Sequence, residues 1–209
     1  MTLKAVLFDH DDTLVATIDS KWDQHKHVAK TFYQKEITDD ELRLHWGKPL
    51  NTLLKLLYGT DDAETALAHN IATRDQFPKR LHSGTIETLL ALRAQGLATG
   101  IVTSTARISL DYDIETIPIP ATLFDYTQTH EETEFHKPDQ RVFLPAIHWL
   151  STQGIAPAET LYIGDTLLDM QAALGAGLQF LGVCTGLVTA DEFAAHGAKA
   201  IARLPDLLR

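Results

Sequence analysis

Apolar positions follow two different patterns along the chain, and the change between them divides it. Residues 4–8, Lys-Ala-Val-Leu-Phe, form a short, nearly continuous apolar run bounded by polar residues. Such a run predicts a strand buried on both faces, as in a parallel sheet. From about residue 17 to 82 helical spacing takes over: Ile18, Trp22, His25, Ala29 and Phe32 share one face, and further helices are predicted over 39–46, 50–58 and 61–77. Gly47-Lys48-Pro49 and Gly59-Thr60-Asp61-Asp62 separate them. After residue 83 the two patterns alternate. A helix over 85–95, closed by Gly96, leads to a strand over 98–103. Pro118 and Pro120 mark an irregular passage before a strand within 123–129. A helix over 140–153 ended by Gly154, a strand over 160–163, a helix over 169–175, a strand over 179–183, a helix over 191–195 and an edge strand within 198–201 complete the series.

Strands that alternate with helices make βαβ units, whose crossovers cover both faces of a parallel sheet. The expected fold is therefore α/β: a doubly wound, Rossmann-like parallel sheet from residues 1–16 and 83–209, with an all-helical insertion at 17–82. A chain of 209 residues is long enough for one domain with a sizeable insertion, or for two small domains. A net charge of −10 argues against nucleic acid or an anionic membrane surface as partner. No apolar run approaches membrane-spanning length, and the chain reaches Asp9 too soon for a secretory signal, so a cytoplasmic location is expected. Cys184 has no partner cysteine and reads as a packed thiol near a strand. The assembly is expected to be a monomer or dimer.

The first strand runs into Asp9-His10-Asp11-Asp12-Thr13. Carboxylates at the end of a buried strand are costly unless something offsets their charge. A hard divalent cation such as magnesium, which takes oxygen ligands, would do so and would attract a phosphate. A plain Asp-rich turn, with Asp12 or Thr13 capping the next helix, is the simpler reading. Three more polar clusters stand at strand ends or before a helix: Thr103-Ser104, Lys137-Pro138, and Gly164-Asp165 with Asp169. Taken singly, each has an ordinary explanation: threonine favours strands, lysines are mostly solvated, and aspartate caps helices. Taken together they matter more, because strand ends in a doubly wound sheet converge on one crevice.

This ordered set resembles the haloacid dehalogenase superfamily of phosphohydrolases. Asp9, Asp11 and Thr13 match its first motif, Ile101-Val102-Thr103 its second, Lys137-Pro138 its third, and Gly164-Asp165 with Asp169 its fourth. The helical block between the first two motifs is similar to the cap of the phosphoglycolate phosphatase and β-phosphoglucomutase subgroup. The resemblance implies Asp9 as nucleophile, Asp11 as general acid and base with a raised pKa, and Mg2+ held by Asp9, the Asp11 backbone carbonyl and Asp165. It further implies Thr103, Ser104 and Lys137 as phosphate-binding groups, with Asp169 and Thr13 supporting them from behind. Proton delivery and charge neutralisation are what phosphoryl transfer demands of such groups.

Dehalogenases of the superfamily lack the second aspartate, so Asp11 points to phosphate esters instead. Asp12 stands where glycine is frequent, and His10 where an apolar residue is usual. Alternation along an extended chain would turn His10 away from Asp9 and Asp11, as a structural histidine. In the helical segment, Lys21, His25, Arg43, His45 and Lys48 are candidates for contact with substrate; His25, in an apolar stripe, reads first as a core residue, and Lys48 as the first to test. The leading expectation is Mg-dependent hydrolysis of a small phosphorylated metabolite through an aspartyl phosphate. A β-phosphoglucomutase-like mutase, and a non-catalytic protein that binds a metabolite or partner, are the alternatives.

Overall fold

A computed structural model describes residues 2–209. The chain forms two compact units, one of residues 1–16 and 80–209, the other of residues 17–79. In the larger unit, β1 (Ala5–Phe8) lies between β4 (Ala98–Val102) and β6 (Thr160–Gly164), parallel to both. With β5 (Tyr126–Gln128), β7 (Gln179–Val183) and β8 (Ala200–Ile201) they form a six-stranded parallel sheet in the order β5-β4-β1-β6-β7-β8. The order reverses direction at β1, which is where such a sheet opens a crevice at its carboxyl edge.

Successive residues of a strand face opposite ways, and β1 shows the consequence. Val6 and Phe8 pack with Leu89 and Leu92 of α5 (Thr85–Ala94) and Leu110 of α6 (Arg107–Thr116). Ala5 and Leu7 pack with Ala146 and Leu150 of α7 (Leu144–Thr152) and Ala172 and Ala173 of α8 (Leu167–Gly175). All four β1 residues are at most 1% exposed, so apolar cover on both faces, worth about 1.5–3 kcal/mol per large side chain, fixes the strand at the centre. Gly100 in β4 is required by close approach: a Cβ there would lie 2.9 Å from the Tyr126 carbonyl oxygen and from Leu7.

The α/β expectation holds, with local differences. α6 fills a stretch for which no element was predicted, because its buried face carries Asp113 beside Leu110 and so breaks the apolar period; the passage at Pro118 and Pro120 that follows it is irregular, as expected. A continuous helix over 140–153 is replaced by a 3-10 turn, Gln140–Phe143, before α7. Pro145, near the start of α7, has no N–H to extend the helix backwards. The short antiparallel pair β2 (Val15–Ala16) and β3 (Arg80–Leu81) shows no two-residue period in the sequence, being too short to have one. It puts residues 80–82 in the α/β unit, and His82 N–H donates to the Leu14 carbonyl.

The smaller unit contains α1 (Ile18–Tyr33), α2 (Asp39–His45), α3 (Leu50–Tyr58) and α4 (Ala63–Thr73). Thr38 and Glu41 form a reciprocal capping box at the start of α2, Gly59 ends α3 at φ 66°, and the Asp62 side chain caps α4. Its interior joins Trp22, Val28, Ala29, Leu42, Leu54 and Leu57 to a polar network. Gln24 donates to the Asn70 carbonyl and Thr73 Oγ1, while Tyr58 OH links Asn70 to His25 Nδ1. Among the described residues no helix is long and apolar enough to cross a membrane.

Candidate active site

Strand register brings three of the four polar clusters together. Phe8 pairs with Ile101 on one side and Ile163 on the other, so Asp9, one residue on, comes level with the ends of β4 and β6. Its N–H donates to the Ile163 carbonyl, 2.9 Å away, extending the ladder by one bond. Lys137, from the loop before Gln140–Phe143, reaches back to this point through a cis Lys137–Pro138 peptide. Its Nζ lies 3.0 Å from Asp9 Oδ1 and 2.6 Å from Asp169 Oδ1, and donates to Tyr162 OH at 2.7 Å. Tyr162 OH in turn donates to the Val102 carbonyl at 2.7 Å. Burial acts to lower the pKa of Lys137, but the carboxylates of Asp169 and Asp9 outweigh it and hold the ammonium protonated.

Oxygens of Asp9, Asp165 and Asp169 lie within 4.8 Å of one another. Burial, opposed by Lys137, pushes the Asp9 carboxyl up to about 6. Asp165 is raised well above the ordinary range by burial, then by Asp169, Asp9 and Asp12. Asp169 is tied down: Oδ1 pairs with Lys137, while Oδ2 accepts from the Thr166 N–H and hydroxyl in a capping box at the start of α8. Thr13, fully buried, donates to Asp165 Oδ1 at 3.3 Å rather than capping a helix. Three carboxyl groups facing one ammonium, two of them pushed towards the neutral form by burial and by one another, are an all-oxygen donor set that a hard divalent cation would fit. Two glycines let these carboxyls sit where they do: a Cβ on Gly164 would meet the Asp169 carboxyl at 2.6 Å, and one on Gly186 would collide with Asp165 Oδ2.

Between Asp9 and Thr13 the chain turns sharply. Asp12 adopts φ 55°, a left-handed conformation that aspartate tolerates better than most residues. Its N–H donates to the Val15 carbonyl, and its own carbonyl accepts from the Thr185 hydroxyl. This turn overrides the alternation anticipated for His10. His10 is fully buried with Nε2 3.0 Å from Asp113 Oδ2, the structural role expected of it, yet ring and carboxyl atoms of His10, Asp11 and Asp113 lie within 4.8 Å of one another. The Asp11 carboxyl thus groups with His10 and Asp113 and accepts from the Thr105 hydroxyl, while its charge still acts on Asp9. Thr103 is buried at the end of β4, its N–H donating to the Gln128 carbonyl and its Oγ1 accepting from the Thr105 N–H at 3.1 Å. Ser104 beside it is exposed.

Thr105, Tyr162, Asp113 and Gly186 were not singled out from the sequence. Thr105 directly follows the Thr103-Ser104 cluster and Tyr162 interrupts an aliphatic strand, two weak signals; Gly186 gave none. Within the helical unit, Lys21 Nζ donates to Gln24 Oε1 at 2.9 Å, and His25 is buried against Tyr58 and Trp46. Arg43 lies 5.7 Å over the Trp22 ring, His45 is half-buried in α2, and Lys48 is exposed beside Gly47, its N–H on the His45 carbonyl.

A half-buried, Lys-paired aspartate at the switch point of a doubly wound sheet, with two buried carboxyls beside it, is a site for chemistry on an anionic group. Residues 6–183 match the profile of the haloacid dehalogenase-like hydrolases, and the chain belongs to that family. It is an enzyme, a hydrolase of the phosphatase type. A Clostridium perfringens protein provisionally named the pyrophosphatase PpaX is 31% identical over 185 residues, 87% of this chain and 84% of that one. The crystal structure of a provisionally assigned haloacid dehalogenase-like hydrolase from Bacteroides fragilis superposes with a TM-score of 0.82 at 29% identity, covering 99% of this chain and 100% of the other. That of a provisionally assigned phosphoglycolate phosphatase from Lactobacillus plantarum gives 0.78 at 25%, covering 100% and 99%.

Proposed function

We propose that the protein hydrolyses a small phosphomonoester in the cytoplasm by way of an aspartyl phosphate on Asp9, with Mg2+ as cofactor. The observation that carries this reading is the Asp9 carboxylate, held by Lys137 at 3.0 Å within the buried Asp9, Asp165 and Asp169 group. Asp9 attacks phosphorus, the ester P–O bond breaks, and Asp11 gives its proton to the leaving oxygen. Asp11 then takes a proton from water as that water attacks the aspartyl phosphate, and orthophosphate departs. Lys137 offsets charge on Asp9 and on the phosphoryl oxygens, Thr103 and Ser104 donate to those oxygens, and Asp169 with Tyr162 keeps Lys137 aimed. Mg2+, held by Asp9, the Asp11 carbonyl and Asp165, would neutralise charge so that two anions can meet. Thr13 steadies Asp165.

The helical unit is proposed as the cap that selects substrate, with Lys48 foremost among Lys21, His25, Arg43 and His45. The names of similar proteins supply candidates, so the test is phosphate release with Mg2+ from sugar phosphates, phosphoglycolate, nucleotides and pyrophosphate. Release of phosphate from at least one, abolished by chelation and in Asp9→Asn, is the expected result. Isomerised sugar phosphate without net release would convert the reading to a mutase; no turnover of any ester would refute it.

A further inference from the structure

We infer that Thr105 is a positioning residue for proton transfer, its hydroxyl fixing the Asp11 carboxyl in the direction from which it serves the leaving group. The inference rests on the proposed role of Asp11 as acid and base. Its own basis is how thoroughly Thr105 is itself held. Its N–H donates to Thr103 Oγ1 at 3.1 Å, and its carbonyl accepts from the His130 N–H at 3.1 Å. Both backbone groups are thus committed, one to each side, and a β-branched side chain adds little freedom at χ1. The hydroxyl is delivered to Asp11 Oδ2 by a framework that does not depend on Asp11 at all.

The need for such a hold comes from the surroundings of Asp11. Asp9, Asp165 and Asp169 gather on one side, and a cation bound there would attract a further carboxylate. An Asp11 side chain drawn into that group would become a ligand and lose its use as a proton donor. A hydroxyl bonded to Oδ2 fixes the carboxyl plane, and with it the direction of Oδ1. His10, held to Asp113 of α6 at 3.0 Å, lies beside the Asp11 carboxyl as well. The loop 103–105 therefore does two things: Thr103 accepts from Thr105 and keeps its own hydroxyl hydrogen for a phosphoryl oxygen, while Thr105 spends its hydroxyl on Asp11.

The consequence is selective, because a general acid matters in proportion to how badly the leaving oxygen needs a proton. A nitrophenolate leaves without one; an alkoxide does not. The test compares kcat/KM, which reports the step that breaks the ester bond, for nitrophenyl phosphate and for the best alkyl phosphate of the panel, each with Mg2+. Thr105→Val should lower kcat/KM for the alkyl ester roughly 10- to 100-fold relative to the nitrophenyl ester, a part of the roughly 10²- to 10⁴-fold that such catalysis supplies, since Asp11 itself remains. Thr105→Ser, which keeps the hydroxyl, should restore the wild-type ratio, and Thr105→Ala stands in should the valine variant fail to fold. An unchanged ratio in Thr105→Val or Thr105→Ala, whatever the overall loss, overturns the inference. Asp11→Asn is the control: if it leaves the ratio unchanged, the assignment of Asp11 fails, and the role of Thr105 with it.

Discussion

The two units bury polar groups in opposite ways. In the helical unit the buried network of Gln24, His25, Tyr58, Asn70 and Thr73 is neutral, each member meeting another donor or acceptor. In the α/β unit, Asp9, Asp165 and Asp169 are buried as acids with Lys137 among them, and their charges do not cancel. A satisfied neutral network specifies packing, whereas an unbalanced buried charge is retained for something that completes it. The contrast marks one unit's interior as architecture and the other's as a site.

The contrast breaks most sharply at Asp9. Asp9→Asn should lower phosphate release by at least about 10³-fold, the order seen when a nucleophile is removed, with the fold intact by circular dichroism. Asp165→Asn comes next: chelator-sensitive turnover should fall by roughly 10²-fold, and the rise in Tm on adding Mg2+, expected from binding to the folded state alone, should disappear.

The third prediction uses sign. Burial, with Lys21 adding to it, depresses the pKa of His25 from 6.5 to about 4, so the unfolded chain binds the extra proton first. That contribution is complete above pH 6.5 and is lost as pH falls towards 4, to the extent of roughly 3 kcal/mol. Asp9 runs the other way: raised from 3.8 to about 6, it favours the metal-free fold below pH 3.8, and that advantage is lost as pH rises through about 6. Urea midpoints of the metal-free protein between pH 7.5 and 4.5 should therefore lose part of their acid sensitivity in His25→Gln, and gain acid sensitivity in Asp9→Asn. Equal pH profiles in all three proteins would contradict this.

Gln24→Ala should cost about 1–3 kcal/mol in urea unfolding, because the Asn70 carbonyl and Thr73 hydroxyl lose a buried donor. The smallest effect belongs to Lys48→Ala. On the physiological ester it should raise KM a few-fold without changing kcat/KM for nitrophenyl phosphate, and equal effects on both would remove Lys48 from substrate selection.

Much of this was legible along the chain. The run from Ala5 to Phe8 could be read as a central strand because it is apolar on both faces and, bounded by polar residues, too short for a buried helix. The helical segment was legible because its apolar period repeats over several turns. α6 was not, since its buried face includes Asp113, a residue that pattern reading assigns to solvent. The pairing of His10 with Asp113 and of Asp11 with Thr105 escaped for the same reason: polar residues find partners across 94 to 103 positions of chain, and no local period records that.

By itself, then, the sequence determined the alternation that makes a parallel sheet and the four polar clusters, three at strand ends and one before a helix, because hydrophobic periodicity and turn chemistry are local properties of the chain. Only the tertiary structure decided how the carboxylates divide, Asp9 with Asp165, Asp169 and Lys137, but Asp11 with Thr105 and the buried His10 and Asp113. Charges interact through space, and the left-handed turn at Asp12 sends neighbouring side chains to different surroundings.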